Sequence, residues 1–391
     1  MPPKKKGKGS ATEERAPLLG RPGNNVKIGV VGLPNVGKST TFNVLSGQAV
    51  PAENHPFCTI DPNTAKVLVP DERFEFLCEH FQPKSKVPAA LTVTDIAGLV
   101  KGAHEGAGLG NEFLANISAT DAIYHVVRAF KSKKVEHVEG DVDPVRDLQI
   151  ISDELLFKDI AMLRNKIPLL ERVVRGNPNN KQAKDEVAMA QVLLEHLESG
   201  KDARANAWNA KEIEFINTLQ LLTAKPVVYL VNLSKKNWAA GRAPRWVGEI
   251  KQWVEQRSPG SPVIPYCANY EKEAHEHEGG VAAYCEEMGG APSMLGKIIW
   301  AGYRALQLIN YFTGSAKEVR AWTIREGTTA KKAAGVIHSD IEHGFIAAEI
   351  MAFDDFKELG NETAVRSAGK QRTQGRDYIM KDGDMVLFKH N

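Results

Sequence analysis

Gly32-Leu33-Pro34-Asn35-Val36-Gly37-Lys38-Ser39 decides how this chain folds. The octapeptide fits G-x-x-x-x-G-K-[ST], directly follows the apolar run Lys27–Val31, and precedes Thr40–Ser46, which can begin a helix. Strand, glycine loop and helix in that order are the setting the pattern requires, which argues against a chance match. The glycines let backbone N–H groups close around phosphate oxygens, and the helix N-terminus adds the positive end of its dipole. The reading assigns Lys38 to the β- and γ-phosphates of a nucleotide and the Ser39 hydroxyl to Mg²⁺. Asn35, Val36, Gly37 and Thr40 complete the phosphate loop.

Working outward, the apolar runs Val26–Val31, Leu91–Thr94, Ala122–Val127, Pro226–Val231 and Pro262–Pro265 read as buried strands between helical patterns. Short apolar strands separated by helices imply a parallel sheet of the α/β class. One interval breaks the rhythm. Leu156, Ile160, Leu163, Ile167, Leu170 and Val174 alternate at spacings of four and three, the seam of one helix. Pro168 should kink or interrupt that helix. Gly176-Asn-Pro-Asn-Asn180 is a turn, after which Ala183, Val187, Ala190, Leu194 and Leu197 restart the seam. The economical arrangement is an antiparallel helical hairpin at about 145–224, inserted in an α/β domain spanning 25–303. The seam packs on itself or presents a partner surface. From 304 to 391, Val319–Thr323, Phe345–Ile350 and Met385–Lys389 read as strands of a small separate α+β domain, with Trp322 in its core.

The chain of 391 residues is long enough for two or three domains at roughly 100–200 residues each. A net charge of +2 and 42% apolar residues exclude a uniformly basic coat and a wholly disordered chain. The charge is uneven: residues 1–24 carry +4, residues 25–303 carry −3 and residues 304–391 carry +1. The first 24 residues, with several Pro, Gly and Lys, read as a disordered basic tail; Lys4-Lys5-Lys6 also allows a nuclear address. No run approaches the roughly 20 apolar residues of a membrane helix, and the N-terminus lacks the apolar centre of a secretory signal. Cys58, Cys78, Cys267 and Cys285 form no C-x-x-C pair, which suits reduced thiols in a cytoplasmic protein.

Further site residues follow from spacing after the phosphate loop. Asp95-Ile-Ala-Gly98 ends a strand, where a carboxylate can hold Mg²⁺ through water and Gly98 can offer an N–H to the γ-phosphate. Between them Thr59 can close on Mg²⁺ and the γ-phosphate, with Thr64 as the alternative. Guanine specificity rests on N-K-x-D, whose Asp accepts from the base. Here the loop is Asn232-Leu233-Ser234-Lys235. A lysine is donor only, so guanine selectivity should weaken and adenine becomes admissible. Cys267 and Ala268 form a second base loop after Pro262–Pro265.

Gly32–Thr40, Pro56-Phe-Cys-Thr-Ile-Asp-Pro-Asn63, Asp95-Ile-Ala-Gly-Leu-Val-Lys-Gly102 and Gly106-Ala-Gly-Leu-Gly-Asn111 together resemble the Obg-like ATPase family, the YchF group of P-loop translation-factor GTPases. Lys317-Glu-Val-Arg-Ala-Trp-Thr-Ile324, Ala334-Gly-Val-Ile-His338 and Asp382-Gly-Asp384 resemble its terminal domain, and the Pro/Lys-rich start is similar to the eukaryotic members. The resemblance implies an OBG-type G domain, an inserted coiled-coil hairpin and a C-terminal β-grasp TGS-like domain. It also implies ATP binding and hydrolysis, often in preference to GTP, with ribosome and RNA association. Family members commonly carry an acidic residue where this chain has Lys235, so use of both ATP and GTP is expected.

Hydrolysis needs a water aligned on the γ-phosphate. Many GTPases supply a Gln after D-x-x-G; this chain has Leu99, so intrinsic turnover should be slow. His104, in the glycine-rich segment Gly102–Gly110, and His137, in a polar loop, are the candidate replacements; His125 reads as structural. Asn35 either shapes the phosphate loop or positions a K⁺ ion, as in some related GTPases. The glycines at 102, 106, 108 and 110 read as a hinge. His275-Glu-His-Glu278 reads as a solvated acidic loop rather than a metal site. Arg366, Lys370, Arg372 and Arg376 form either an RNA-phosphate patch or a solvated loop. The leading expectation is a cytosolic P-loop NTPase that changes switch conformation with ATP or GTP and engages ribosomes or RNA, with an activating protein as a further partner. A nucleotide-gated binding protein with residual hydrolysis is the rival, and a P-loop kinase is disfavoured for want of an acceptor site.

Overall fold

The computed structural model describes residues 19–20, 27–47, 63–96, 98, 109–132 and 137–391, with residues 109–112 described by their backbone alone. Its first sheet has six strands in the order β2-β4-β1-β5-β6-β7. These are β1 (Lys27–Val31), β2 (Thr64–Leu68), β4 (Ala90–Asp95), β5 (Ala122–Arg128), β6 (Val227–Asn232) and β7 (Val263–Tyr266), while β3 (Ser85–Val87) joins the second sheet. Strands β4, β1, β5, β6 and β7 run parallel. The central β5 and β6 are buried along their whole length, which is why they read as unbroken apolar runs. Strand β2 departs from the all-parallel expectation, pairing antiparallel with β4 at the edge. Register aligns Val30 with Asp95 and Arg128 with Asn232. The carboxyl ends that carry the phosphate loop, Asp95 and Asn232 therefore share one edge, where open α/β sheets bind ligands.

The insertion is two helices, Pro144–Gly176 and Lys181–Glu198, followed by a shorter helix Ala210–Leu219. Asp143 caps the first through Val145 N–H and Arg146 N–H, and Asn180 caps the second through Ala183 N–H at 3.0 Å. Pro168 does not end the first helix, which continues to Gly176. The foot of the hairpin buries Leu156, Leu163, Leu193, Leu197 and Ile216 together. Buried Asp159 ties the first helix to the turn that precedes β6. It accepts from Leu222 N–H at 3.0 Å, Thr223 N–H at 2.7 Å and the Thr223 hydroxyl at 2.6 Å. Leu19 packs against the same foot, and Gly20 N–H donates to Asn217 Oδ1 at 2.8 Å. Of the stretch read as a disordered basic tail, Leu19 and Gly20 are thus held at the hairpin foot, because Leu19 finds apolar cover there.

The second sheet has the order β11-β10-β12-β8-β9-β3, with β8 (Leu308–Gly314), β9 (Glu318–Arg325), β10 (Phe345–Ala352), β11 (Arg372–Gln374) and β12 (Asp384–His390). Helix Ala330–Ile337 covers one face of this β-grasp sheet over Tyr311, Trp322, Ile324, Ala348 and Ile350. Trp322 is buried there as expected, its Nε1–H donating to Thr313 Oγ1 at 2.9 Å. The other face joins the core of the first domain through Phe312, Val319, Met351 and Met385. Two further links cross between the units. Strand β3 pairs parallel with β9, and Arg73 bridges Asp71 (2.8 Å) and Asp382 (2.9 Å).

Candidate nucleotide site

The phosphate loop is built by close approach. A Cβ on Gly32 would lie 2.5 Å from the Val126 carbonyl oxygen. Gly37 has φ 105°, a conformation costly to other residues, and a Cβ there would lie 2.4 Å from Asn232 Nδ2. Asn35 also adopts the left-handed region, at φ 62°. Gly37 then opens helix Lys38–Ser46, which has no side-chain cap, so its first-turn N–H groups point into the loop. Val36 is buried beneath the loop, Thr40 is half-buried and the Ser39 side chain is exposed toward the crevice edge.

Lys38 is 8% exposed and donates to the Leu33 carbonyl at 2.8 Å. Burial lowers its ammonium to about 8, against the opposing pull of Asp95. Asp95 is pushed up from the usual carboxylate range by burial, partly offset by a hydrogen bond from Ser39 and by the Lys38 charge. Its Oδ1 is buried with no hydrogen-bond partner among the described residues. A Cβ on Gly98 would come 3.0 Å from Lys38 Nζ, so the Gly98 backbone lies close to the same ammonium. Lys38, Ser39, Asp95 and Gly98 therefore converge. Thr59 and His104 lie outside the described residues. Thr64 sits on β2 with its hydroxyl 3.1 Å from that of Thr94, in the sheet rather than in a switch loop.

At the other end of the crevice Asn232 binds loops together. Its Nδ2 donates to the Val36 carbonyl at 2.9 Å, and its Oδ1 accepts from Ala268 N–H at 3.0 Å. Leu233 is buried and its N–H bonds to the Tyr266 carbonyl at 2.8 Å. Cys267 is buried with Tyr270 and Tyr284, and burial pushes its thiol up. The side chains of Asn232, Leu233 and Cys267 thus tie these two loops into the fold, and Ala268 is buried with them. Lys235 is ion-paired to Glu273, which also accepts from the Tyr284 hydroxyl at 2.6 Å. Neither Glu273 nor Tyr284 was picked out by sequence, since no local pattern links residue 235 to residues 38 and 49 positions further on.

His137 does not fit a proton carrier. Its ring is buried, Nε2 contacts Asp147 Oδ2 at 2.8 Å, and Nδ1 accepts from Glu139 N–H at 3.2 Å. With both nitrogens engaged it fastens a turn to the start of the hairpin helix. His125 is buried beside Tyr229, and burial lowers its imidazole to about 3. In the 275–278 segment, His277 pairs with Glu287 at 3.3 Å, and no group of three or more metal-ligating side chains occurs among the described residues. The basic run of the terminal domain is partly spent: Lys370 pairs with Asp355 (2.8 Å) and Glu358 (3.2 Å). Arg372 and Arg376 remain exposed.

A parallel sheet carrying this phosphate loop, with Asp95 and the Asn232 loop on the same edge, defines a P-loop G-domain protein. Residues 27–166 match the family described as 50S ribosome-binding GTPase, and residues 308–391 match the C-terminal domain of YchF GTPases, described as of unknown function. Obg-like ATPase 1 of Homo sapiens is 51% identical, covering 100% of this chain and 98% of its own length. Obg-like ATPase 1 of Oryza sativa subsp. japonica is 50% identical over the same shares. The solved YchF GTPase of Schizosaccharomyces pombe superposes with a TM-score of 0.87 at 48% identity, over 95% of this chain and 99% of that one. The chain belongs to the Obg-like ATPase (YchF) family. No helix among the described residues is long and apolar enough to cross a membrane.

Proposed function

We propose that the protein binds and hydrolyses ATP and GTP with Mg²⁺ and works as a nucleotide-dependent switch on ribosomes or RNA. The observation that carries this reading is the meeting of buried Lys38 with Asp95, whose Oδ1 is buried beside the Ser39 hydroxyl with no hydrogen-bond partner among the described residues. Hard oxygen donors of this kind suit Mg²⁺. Ser39 would hold the metal directly, Asp95 through water and Thr59 from the switch segment. When bound, the metal neutralises charge on the β- and γ-phosphate oxygens. Lys38 exchanges its bond to the Leu33 carbonyl for phosphate oxygens, and N–H groups of the loop take the charge that builds as water adds to the γ-phosphorus and the bond to the bridging oxygen breaks.

The backbone of Leu233 and the Cys267–Ala268 turn would flank the purine. The loop lacks the acceptor that enforces guanine, so both bases are admitted. Asn35 is given the loop-shaping role on its left-handed backbone; a K⁺ ion at Asn35 would show as faster hydrolysis in K⁺ than in Na⁺. Cytoplasmic residence with a nuclear fraction follows from cysteine usage and the Lys4-Lys5-Lys6 tail. Ribosome or RNA contact is supported by the description of the matched G-domain family and by exposed Arg372 and Arg376. Titration of the protein with ATP and GTP, with and without Mg²⁺, alongside phosphate release, tests the core of the proposal; binding of neither purine sinks it.

A second reading is favoured by two observations. His137 has no free ring nitrogen, and the residue after Gly98 is the apolar Leu99. On that reading the protein is a nucleotide-gated binding partner with residual hydrolysis until an activating protein supplies the missing group. Ribosome co-sedimentation in ATP, ADP and a non-hydrolysable analogue, compared with turnover on adding ribosomes, separates the two.

A further inference from the structure

Lys235 opens the short helix Lys235–Ala239 directly after the first base loop, and Glu273 lies in helix Ala268–Glu276 directly after the second. Their side chains meet as an ion pair. The Tyr284 hydroxyl donates to the same Glu273 oxygen at 2.6 Å, and the Lys235 ammonium lies 5.6 Å from the Tyr284 ring centroid. Tyr284 is itself 6% exposed and packs edge-on against Tyr270 at 5.1 Å, so the group has a fixed floor. Hydrogen bonding to Glu273 raises the Lys235 ammonium, and Lys235 holds the Glu273 carboxyl below its usual range, so both stay charged at neutral pH. The flanking charges are engaged elsewhere, Lys272 with Glu276 and His277 with Glu287. At their inner ends the two base loops are joined by Asn232 Oδ1 to Ala268 N–H and by Leu233 N–H to the Tyr266 carbonyl. At their outer ends they are joined by the Lys235–Glu273 pair and the packing of Trp238 into the Tyr270–Tyr284 cluster.

We propose that Lys235, Glu273 and Tyr284 form a charge clamp that sets the spacing of the two base loops and so tunes purine affinity without contacting the base. The proposal rests on the nucleotide reading above. The Lys235 and Glu273 side chains are 37% and 43% exposed, and pairs that open to solvent add little to overall stability. The clamp therefore acts on loop geometry rather than on the fold. It also gives Lys235 a role other than base reader, since its ammonium is turned to Glu273.

The test is a charge-exchange cycle: wild type, Lys235→Glu, Glu273→Lys and the double exchange, each titrated with ATP, GTP and inorganic tripolyphosphate, with a thermal melt beside each. Either single reversal sets like charges against each other and should weaken ATP and GTP together by about tenfold, as coupled neighbours do. Tripolyphosphate affinity and melting temperature should hold, and the double exchange should restore purine binding to within about threefold of wild type. Lys235→Arg, which keeps the pair, should bind as wild type. Unchanged purine affinity in the singles overturns the clamp, as does a double exchange as weak as the singles. Opposite movement of ATP and GTP in Lys235→Glu overturns it too, making residue 235 a direct base reader. Failure of the nucleotide reading looks different: wild type would then bind none of the three probes.

Discussion

The two ends of the crevice handle charge in opposite ways. At the phosphate end Lys38 is buried, its ammonium lowered to about 8, and Asp95 carries a buried oxygen with no hydrogen-bond partner among the described residues. At the base end Lys235 and Glu273 are half-exposed, paired, and both held in their charged forms. Charges kept in a poorly solvated place without full pairing are costly unless a ligand completes them. Charges already paired have nothing left to offer a ligand and instead fix the backbone that carries them. The contrast separates groups that wait for phosphate and metal from groups that shape the pocket.

The sharpest way to break this contrast is at Lys38. Lys38→Ala should leave the fold intact and lower nucleotide-triphosphate affinity or turnover by about 100-fold or more, as loss of one preorganised phosphate contact does. Titration with ATP and phosphate release measure it. A loss as small as that of the single clamp reversals would erase the difference between the two ends.

Asp159 sharpens the comparison from outside the crevice, as a buried acid whose three donors are all supplied by the protein. Asp159→Ala strands those donors and should cost about 3 kcal/mol of stability. The loss should appear in chemical denaturation, with purine and tripolyphosphate affinity in the folded protein unchanged. A selective fall in nucleotide affinity would show that the hairpin foot reports directly to the site.

How far the sequence carried differs between these ends for a physical reason. The phosphate loop, Asp95 and the parallel strands β1, β4, β5, β6 and β7 were legible because each is local: a fixed spacing, or an apolar run between helices. Strand β2, with mostly half-exposed Thr64–Leu68, shows little alternation, and the three-residue β3 has none. Strand β8 starts three residues after helix Leu295–Ala305 with no Gly or Pro between them, so its apolar run merges with the helix pattern. The clamp was illegible because it joins residues brought together only by the order β6–β7. Lys235 taken alone suggested altered base reading; its carboxylate partner shows where the positive charge goes. His137 illustrates the same limit, since a polar-loop histidine looks alike in sequence whether its nitrogens are free or bound.

A smaller effect tests the phosphate end by pH. In the free protein Lys38 holds its proton only up to about 8, below the 10.5 ordinary for lysine. The unfolded chain binds that proton more tightly, so through this window the free protein gains stability as pH rises. Nucleotide binding has the opposite sign, because phosphate oxygens favour the charged ammonium and must draw a proton to it. Affinity for ATP should therefore be flat up to about pH 8 and then fall by about tenfold per unit, with proton uptake seen as buffer-dependent binding heats. The base end contributes no matching slope, since Lys235 stays charged.

The smallest expected effect is at His137, and its smallness is the point. His137→Ala removes the contact to Asp147 at 2.8 Å and the bond from Glu139 N–H, leaving a buried carboxylate with Arg146 at 3.3 Å and the Arg128 charge as ionic support. Burial already pushes Asp147 up, so loss of the imidazole should raise it further and cost about 1–3 kcal/mol in a denaturant melt. Phosphate release per folded molecule should stay within about twofold of wild type, because proton transfer by a positioned side chain is typically worth 10²–10⁴-fold. A fall of that larger size, with ATP affinity held, would mean that the ring leaves Asp147 during turnover. The division between charges that wait for ligand and charges that hold the frame would then have to be redrawn to include a group that does both.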